Sequence, residues 1–341
     1  MTALNQNHHM GNKLMTDRET RGFASPVDYE KYGRYASNKK EQAHSLTNYA
    51  VRAKFTDRIS ADGSTPYPAE ADRYHLYLAL GCPWAHRAAI VVDLLELAIT
   101  YSFVDDIRDG RGWAFRETRG PDPINNFATL KQVYLLAEPA FEGHINVPTL
   151  WDSKTDQVVN NSDDEIFRDL VTQFGTIARN PDDLYPSDRR DEINALDALI
   201  HEDLNFGVYR IAVAANQADY DTLVERAFAA LDQLEKRLAT NRYLFGKSIT
   251  ETDIRLWVTL ARFDNVYNPF FRVNLRRLVD YPNLWAYARD LYTHPAFARS
   301  TDFKACKDTY YLAFPQWNPA GIVPTGPLLD WTEPQQRPRL G

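Results

Sequence analysis

Three regimes of apolar and polar spacing divide the chain. Residues 1–70 are polar, carry Gly, Pro and Ser, and show little periodicity. That pattern predicts an irregular N-terminal extension that wraps a domain or stays partly disordered. The middle regime, residues 71–180, mixes two periods. "RYHLYLAL" (73–80) is a short apolar run suited to a buried strand, and "ITYSFVDD" (99–106) is a β-branched and aromatic strand. Between them Trp84, Ala88, Val91 and Leu95 recur at steps of four, three and four, one face of a helix. "HINVPTLWDSKTDQVVNN" (144–161) reads as two strands around a polar turn. Residues 162–174 then read as a helix, with Ser162 and Glu165 at capping-box spacing.

From about residue 186 the period is helical. "RRDEINALDALIHEDLN", "YDTLVERAFAALDQLEKRLA" and "ETDIRLWVTLARFDNVY" are amphipathic and joined by short polar turns, which predicts an all-helical domain over 186–315. Thr250 and Asp253 have capping-box spacing ahead of one of these helices and read as a folding element. The tail, 316–341, is Pro-rich and reads as an irregular arm. The order strand, helix, strand, hairpin, helix in the middle regime is a thioredoxin-like layout, a mixed sheet with helices packed on it. The expected fold class is therefore α/β followed by all-α.

Composition narrows the function classes. With 341 residues, 44% of them hydrophobic, the chain is long enough for two domains. A net charge of -7 argues against a general nucleic-acid binder. No uncharged apolar run approaches the roughly 20 residues of a membrane span, and the polar N-terminus has no apolar core of a signal peptide. Neither nucleic acid nor membrane is an expected partner, and no metal is expected. The two cysteines, Cys82 and Cys306, lie far apart, which fits a reduced, cytoplasmic setting better than a disulfide scaffold.

Cys82 stands in "LGCPWAH", where the first predicted strand meets the helix. Pro83 suits a first helical position, so Cys82 is the N-cap or its neighbour. Backbone N–H groups and the helix dipole there favour thiolate, and His86 and Arg87 in the first turn would add positive potential. The alternative is an inert buried cysteine that merely caps a helix. A Cys-x-x-Cys pair is missing because Ala85 occupies the second position, so any redox cycle on Cys82 must be completed by an outside thiol. Cys306 reads as a small buried apolar residue. Val147-Pro148, a β-branched residue before a proline that heads a strand, is a candidate cis bond or an ordinary edge proline.

Taken together, "DRYHLYLALGCPWAHRA", "NVPTLWD", "VVNN", "NFGVYR", "RYLFGKSITETDIRLWVTLARFDNVY" and "NPAGIVPTGP" resemble the glutathionyl-hydroquinone reductases, the Xi class of glutathione transferases. The resemblance runs from about residue 70 to about residue 328. It implies a thioredoxin-like N-terminal domain, an all-helical transferase domain and a homodimer. It further implies a quinone or hydroquinone thioether as substrate and a low-molecular-weight thiol, glutathione or mycothiol, as cosubstrate. By that resemblance Cys82 attacks the substrate sulfur, and a second thiol resolves the mixed disulfide. Tyr209 and Tyr310 match tyrosines near the quinol, as catalytic or merely packing groups, and Tyr267 matches another. Trp113 matches a tryptophan that covers the bound thiol. Val147 matches the residue whose backbone pairs with the thiol's cysteinyl part, beside Pro148.

The chain departs from the family where the rest of glutathione is held. Ser162 and Asp163 stand where the family has Glu-Ser, and His144 stands where it has an arginine. Asp163 and Asp164 in a first helical turn occupy potential that would otherwise welcome a ligand carboxylate. The loss of an always-charged arginine removes an anion contact. These changes lead to the expectation of a thiol lacking the γ-glutamyl group, with a shifted glutathione pose as the alternative. Two other functions remain open at this level: a general thiol transferase acting on mixed disulfides through Cys82, and a non-catalytic transferase-like scaffold.

Overall fold

A computed structural model describes residues 21–35, 54–335 and 337. Two short parallel strands, β1 (Ile59–Ser60) and β2 (Tyr67–Pro68), precede the main sheet. That sheet holds β3 (Tyr74–Leu78), β4 (Thr100–Phe103), β5 (Thr149–Asp152) and β6 (Gln157–Asn160) in the order β4-β3-β5-β6. β3 runs parallel to β4, with Leu76 opposite Tyr101, and antiparallel to β5, with Leu76 opposite Leu150. β5 and β6 form the antiparallel hairpin. Every residue of β3 is buried, which explains why its sequence is a continuous run without alternation. This is the thioredoxin-like mixed sheet.

Among the described residues of the N-terminal half the helices are the one-turn α1 (Tyr29–Tyr32), α2 (Pro83–Leu94), α3 (Leu130–Ala137) and α4 (Asp163–Thr172). α3 has no counterpart among the elements predicted from spacing. It is short, and its start is fixed by local chemistry, a capping box between Thr129 and Gln132. α2 is buried on all sides except at Asp93. One side lies on the sheet, and the other lies against helices of the C-terminal half, so a single apolar face was too narrow an expectation.

The second half is helical: α5 (Arg190–Ile200), α6 (Gly207–Ala212), α7 (Gln217–Leu238), α8 (Glu251–Arg262), α9 (Pro282–Tyr292), α10 (Pro295–Arg299) and α11 (Phe303–Ala313). α5 and α8 each run on into a π-helical turn, at His201–Asn205 and Phe263–Tyr267. Such turns widen a helix and recur at functional sites. The expected cap of α8 forms, with Asp253 accepting from the Thr250 amide at 2.8 Å. The expected Ser162–Glu165 box does not form. Glu165 instead accepts from the Asn160 side chain at 2.9 Å, and the Ser162 amide donates to Asn160 Oδ1 at 2.6 Å.

The described parts of the N-terminal extension are packed against the sheet domain. Arg58 forms a two-pronged ion pair with the buried Asp169 of α4, and Asn161 Oδ1 accepts from the amides of Lys54 and Phe55 at 3.0 Å each. Residues 1–20 and 36–53 of that extension lie outside the described residues. The C-terminal arm is pinned by Trp331, whose ring lies 4.8 Å from those of Trp285 and Phe303.

Candidate active site

Cys82 is the N-cap of α2, in extended conformation, with Pro83 opening the helix. Its Sγ donates to the Val147 carbonyl at 3.7 Å, and the Val147–Pro148 peptide is cis. The Val147 loop is held from below. Asn146 Nδ2 donates to the Asn161 carbonyl at 2.6 Å, Asn161 Nδ2 returns a bond to Asn146 Oδ1 at 2.7 Å, and Thr149 Oγ1 donates to the Asn146 carbonyl at 2.6 Å. Asn161, the second residue of the "NN" pair and fully buried, thus holds the loop whose peptide faces the sulfur.

The electrostatics at Cys82 differ from the expectation. Burial pushes the thiol up, and this outweighs the amides of Ala85 and Trp84 and the guanidinium of Arg262, which all pull it down. The Asp163 charge adds to the upward push. His86 and Arg87 do not supply the positive potential. Both are buried and turned to other partners. His86 Nε2 pairs with Ser300 Oγ at 3.1 Å, and burial and the nearby Arg262 keep the ring neutral. Arg87 donates to Asn205 Oδ1 at 3.0 Å and lies over the Trp84 ring.

The cation that does act on the sulfur is Arg262, at the end of α8. It donates to the carbonyls of Gly81 at 3.1 Å, Leu80 at 2.9 Å and Val258 at 2.9 Å, and it contacts His86 Nδ1 at 3.1 Å. One fully buried side chain from the helical half therefore clamps the strand-to-helix turn that presents Cys82. Sequence reasoning missed it. The only available signal was an arginine closing the mostly apolar stretch Leu256–Ala261. Gly81 is required at this turn by a close approach. A Cβ there would lie 2.0 Å from Thr309 Oγ1 on α11. Cys306, also on α11, donates to Leu80 O at 3.8 Å, so it packs beneath the same turn.

Tyr209, Tyr267 and Tyr310 come together from α6, the π turn after α8, and α11. Tyr209 and Tyr310 share a hydroxyl–hydroxyl hydrogen bond, and Tyr267 OH lies 3.2 Å from Tyr310 OH. The Tyr209 ring stacks 6.3 Å from that of Trp84, two residues beyond Cys82. Burial raises all three phenols, Tyr209 and Tyr310 well above the ordinary tyrosine value, so each keeps its proton. The buried Arg262 charge is felt by all three tyrosines and by Cys82.

Ser162 and Asp163 sit at the start of α4, with Asp163 buried and its charge felt by Cys82. Asp163 keeps its proton above the usual carboxylate range because of burial and the adjacent Asp164. Asp164 accepts from Arg255 at 2.9 Å and pairs with Arg87 at 3.5 Å, and these cations lower it. His144 is half-buried on the loop leading to Val147. Trp113 is buried on the loop after β4. The structure thus brings Val147 to Cys82 and Asp163 within electrostatic reach of it, joins the three tyrosines to one another beside the Trp84 ring, and leaves Ser162 at the start of α4, Trp113 on the loop after β4 and His144 on the loop before Val147.

A family profile described as the C-terminal domain of glutathione S-transferases matches residues 217–290. The glutathionyl-hydroquinone reductase YqjG of Escherichia coli K12 is 38% identical over 83% of this chain and 90% of its own length. The glutathionyl-hydroquinone reductase PcpF of Sphingobium chlorophenolicum is 40% identical over 76% of this chain and 85% of its own. The glutathione-bound structure of the E. coli protein superposes with a TM-score of 0.79 at 38% identity, covering 83% of this chain and 96% of that one. On identity of this extent across both the sheet and the helical half, the chain belongs to the glutathionyl-hydroquinone reductase family, the Xi class of glutathione transferases.

Proposed function

We propose that this protein reductively cleaves S-conjugated hydroquinones through a mixed disulfide on Cys82. The Cys82 thiolate attacks the sulfur of the conjugate. The S–S bond forms as the bond between sulfur and ring carbon breaks, and its electron pair passes to the ring carbon, which takes a proton. A second thiolate then attacks the outer sulfur of the Cys82 adduct, so a disulfide leaves and Cys82 is restored. In balance, one conjugate and one thiol give one hydroquinone and one disulfide. The observation that supports this reading is the Cys82 thiol at a helix N-terminus together with three hydrogen-bonded, protonated phenols that feel the same buried Arg262 charge. The phenols, raised by burial, are proton donors suited to a quinol oxygen or to the leaving carbon. Ala85 leaves the adduct open to a small outside thiol.

The thiol we propose lacks the γ-glutamyl group, and a sugar-based thiol such as mycothiol fits. The support is at the start of α4. Arg87 and Arg255 are already engaged by Asp164, and Asp163 presents a carboxyl at the position where a γ-glutamyl carboxylate would otherwise meet helix amides. The Asp163 carboxyl binds hydroxyls well, and the charged Asp164 beside it repels a second anion. The test is cleavage of the glutathionyl and mycothiolyl conjugates of one hydroquinone, side by side, with the mass added to Cys82 read on the intact protein. A clear preference for glutathione would reject the thiol assignment, while a Cys82→Ser variant with full turnover would reject the mechanism itself.

A further inference from the structure

The loop after β4 carries Trp113, and it is framed on one face by the N-terminal segment, residues 21–35. Backbone bonds run along the seam: Gly22 N to Asn126 O at 2.7 Å, Ala24 N to Phe115 O at 2.9 Å and Gly110 N to Gly33 O at 2.8 Å. Gly110 admits no side chain, because a Cβ would lie 1.9 Å from the Tyr32 carbonyl oxygen. The fully buried Asp109 accepts from the Asp28 amide at 3.2 Å and from Arg111 Nη2 at 2.7 Å, and Arg111 continues to the carbonyls of Ser25 and Pro26 at 3.0 and 2.9 Å. The segment is thus built into the loop by main-chain contacts and a buried carboxylate.

At the end of this seam stands Tyr35. Its ring lies 4.2 Å from the Arg108 guanidinium carbon, and the same guanidinium lies 4.3 Å from the Trp113 ring. Arg108 is therefore sandwiched between two aromatic faces, one from the N-terminal segment and one from the loop after β4. Tyr35 also packs on Gly112, the residue before Trp113, with a ring carbon 3.7 Å from the point a Cβ would occupy. Gly112 has φ of +76°, a conformation glycine adopts without penalty. A planar cation between two rings fixes the planes of both, which an ammonium does not do.

We infer that the N-terminal segment is part of the wall of the thiol site, with Tyr35 and Arg108 as positioning residues that set the plane of Trp113 for the reducing thiol. The inference rests on the reading of Trp113 as the cover of the bound thiol. Tyr35 and Arg108 take no part in bond making. Their removal loosens thiol capture and leaves the chemistry at Cys82 unchanged.

The test uses the full-length protein, one hydroquinone conjugate, and whichever of glutathione or mycothiol turns over faster. Tyr35→Ala and Arg108→Ala raise the KM for the thiol about fivefold or more, the scale of a stacked cation–π contact, with kcat within about twofold. Tyr35→Phe keeps the ring and behaves as the parent. Arg108→Lys keeps the charge, loses the plane and resembles Arg108→Ala. Combining Tyr35→Ala with Trp113→Ala adds little beyond Trp113→Ala alone, because both act through one ring. Thermal unfolding is followed in parallel, since a merely structural role lowers stability without separating KM from kcat. A Trp113→Ala variant with unchanged thiol KM would show that the reading of Trp113 fails. A raised KM in Trp113→Ala with an unchanged KM in Tyr35→Ala, or with effects that simply add, would overturn the positioning role.

Discussion

Replacing Arg262 tests the central electrostatic claim. Arg262→Met keeps the apolar volume and removes both the charge and the fork. It leaves the buried carbonyls of Gly81 and Leu80 without the guanidinium that now donates to them at 3.1 and 2.9 Å. An orphaned buried acceptor costs about 1–3 kcal/mol; Gly81 O loses its donor, while Leu80 O keeps the weak Cys306 Sγ donor at 3.8 Å, so the pair costs about 2–5 kcal/mol. Relief from burying an ion offsets part of this, which leaves a net loss of about 2–4 kcal/mol. Thermal unfolding then shifts down by roughly 3–6 °C. The same change removes a cation that lowers the Cys82 thiol, so the limb on which reactivity rises with pH moves to higher pH. Arg262→Lys separates the two effects, because it keeps the charge near the sulfur and loses the fork. It is expected to lose comparable stability with a smaller displacement of the pH limb. The assay is the rate of alkylation at Cys82 against pH, read by mass; Cys306, only 1% exposed, is protected. If Arg262→Met alkylates along the same pH curve as the parent, Arg262 does not tune the thiol and the reasoning is wrong.

Three further outcomes are expected. Asp163→Asn removes an anion that pushes the Cys82 thiol up, so the alkylation limb moves to lower pH, the opposite sense to Arg262→Met. Tyr209→Phe and Tyr310→Phe each lower turnover of a hydroquinone conjugate about 100-fold, the scale of a lost general acid, and leave reduction of a simple mixed disulfide intact; equal losses in both assays would point to packing instead. Gly81→Ala drives a methyl into Thr309 and costs about 1–3 kcal/mol, seen as a lower unfolding temperature and slower alkylation of Cys82; an unchanged variant would show that the turn has room to yield.

How much of this was legible beforehand depends on the range of the interaction. β3, α2 and the β5–β6 hairpin follow from apolar spacing and turn chemistry, which act within a few residues. The Thr250–Asp253 cap was readable for the same reason. The Ser162–Glu165 box had the same spacing, but the neighbouring Asn160 took both partners once β6 ended beside the helix. The short helix α3 carried too few turns to show a period.

The sequence alone determined the lone cysteine at a strand-to-helix junction, the missing second thiol at Ala85, and the family motifs that run through both halves. The tertiary structure decided what surrounds the sulfur. It turned His86 and Arg87 away, brought Arg262 from 180 positions downstream to the turn, packed Cys306 beneath it and joined the three phenols to one another. The reason is physical: the burial that raises the thiol and the cation that lowers it both come from packing α8 and α11 against α2 and its turn. Such contacts leave no period or spacing in the chain, because their partners meet only when the two halves close on one another.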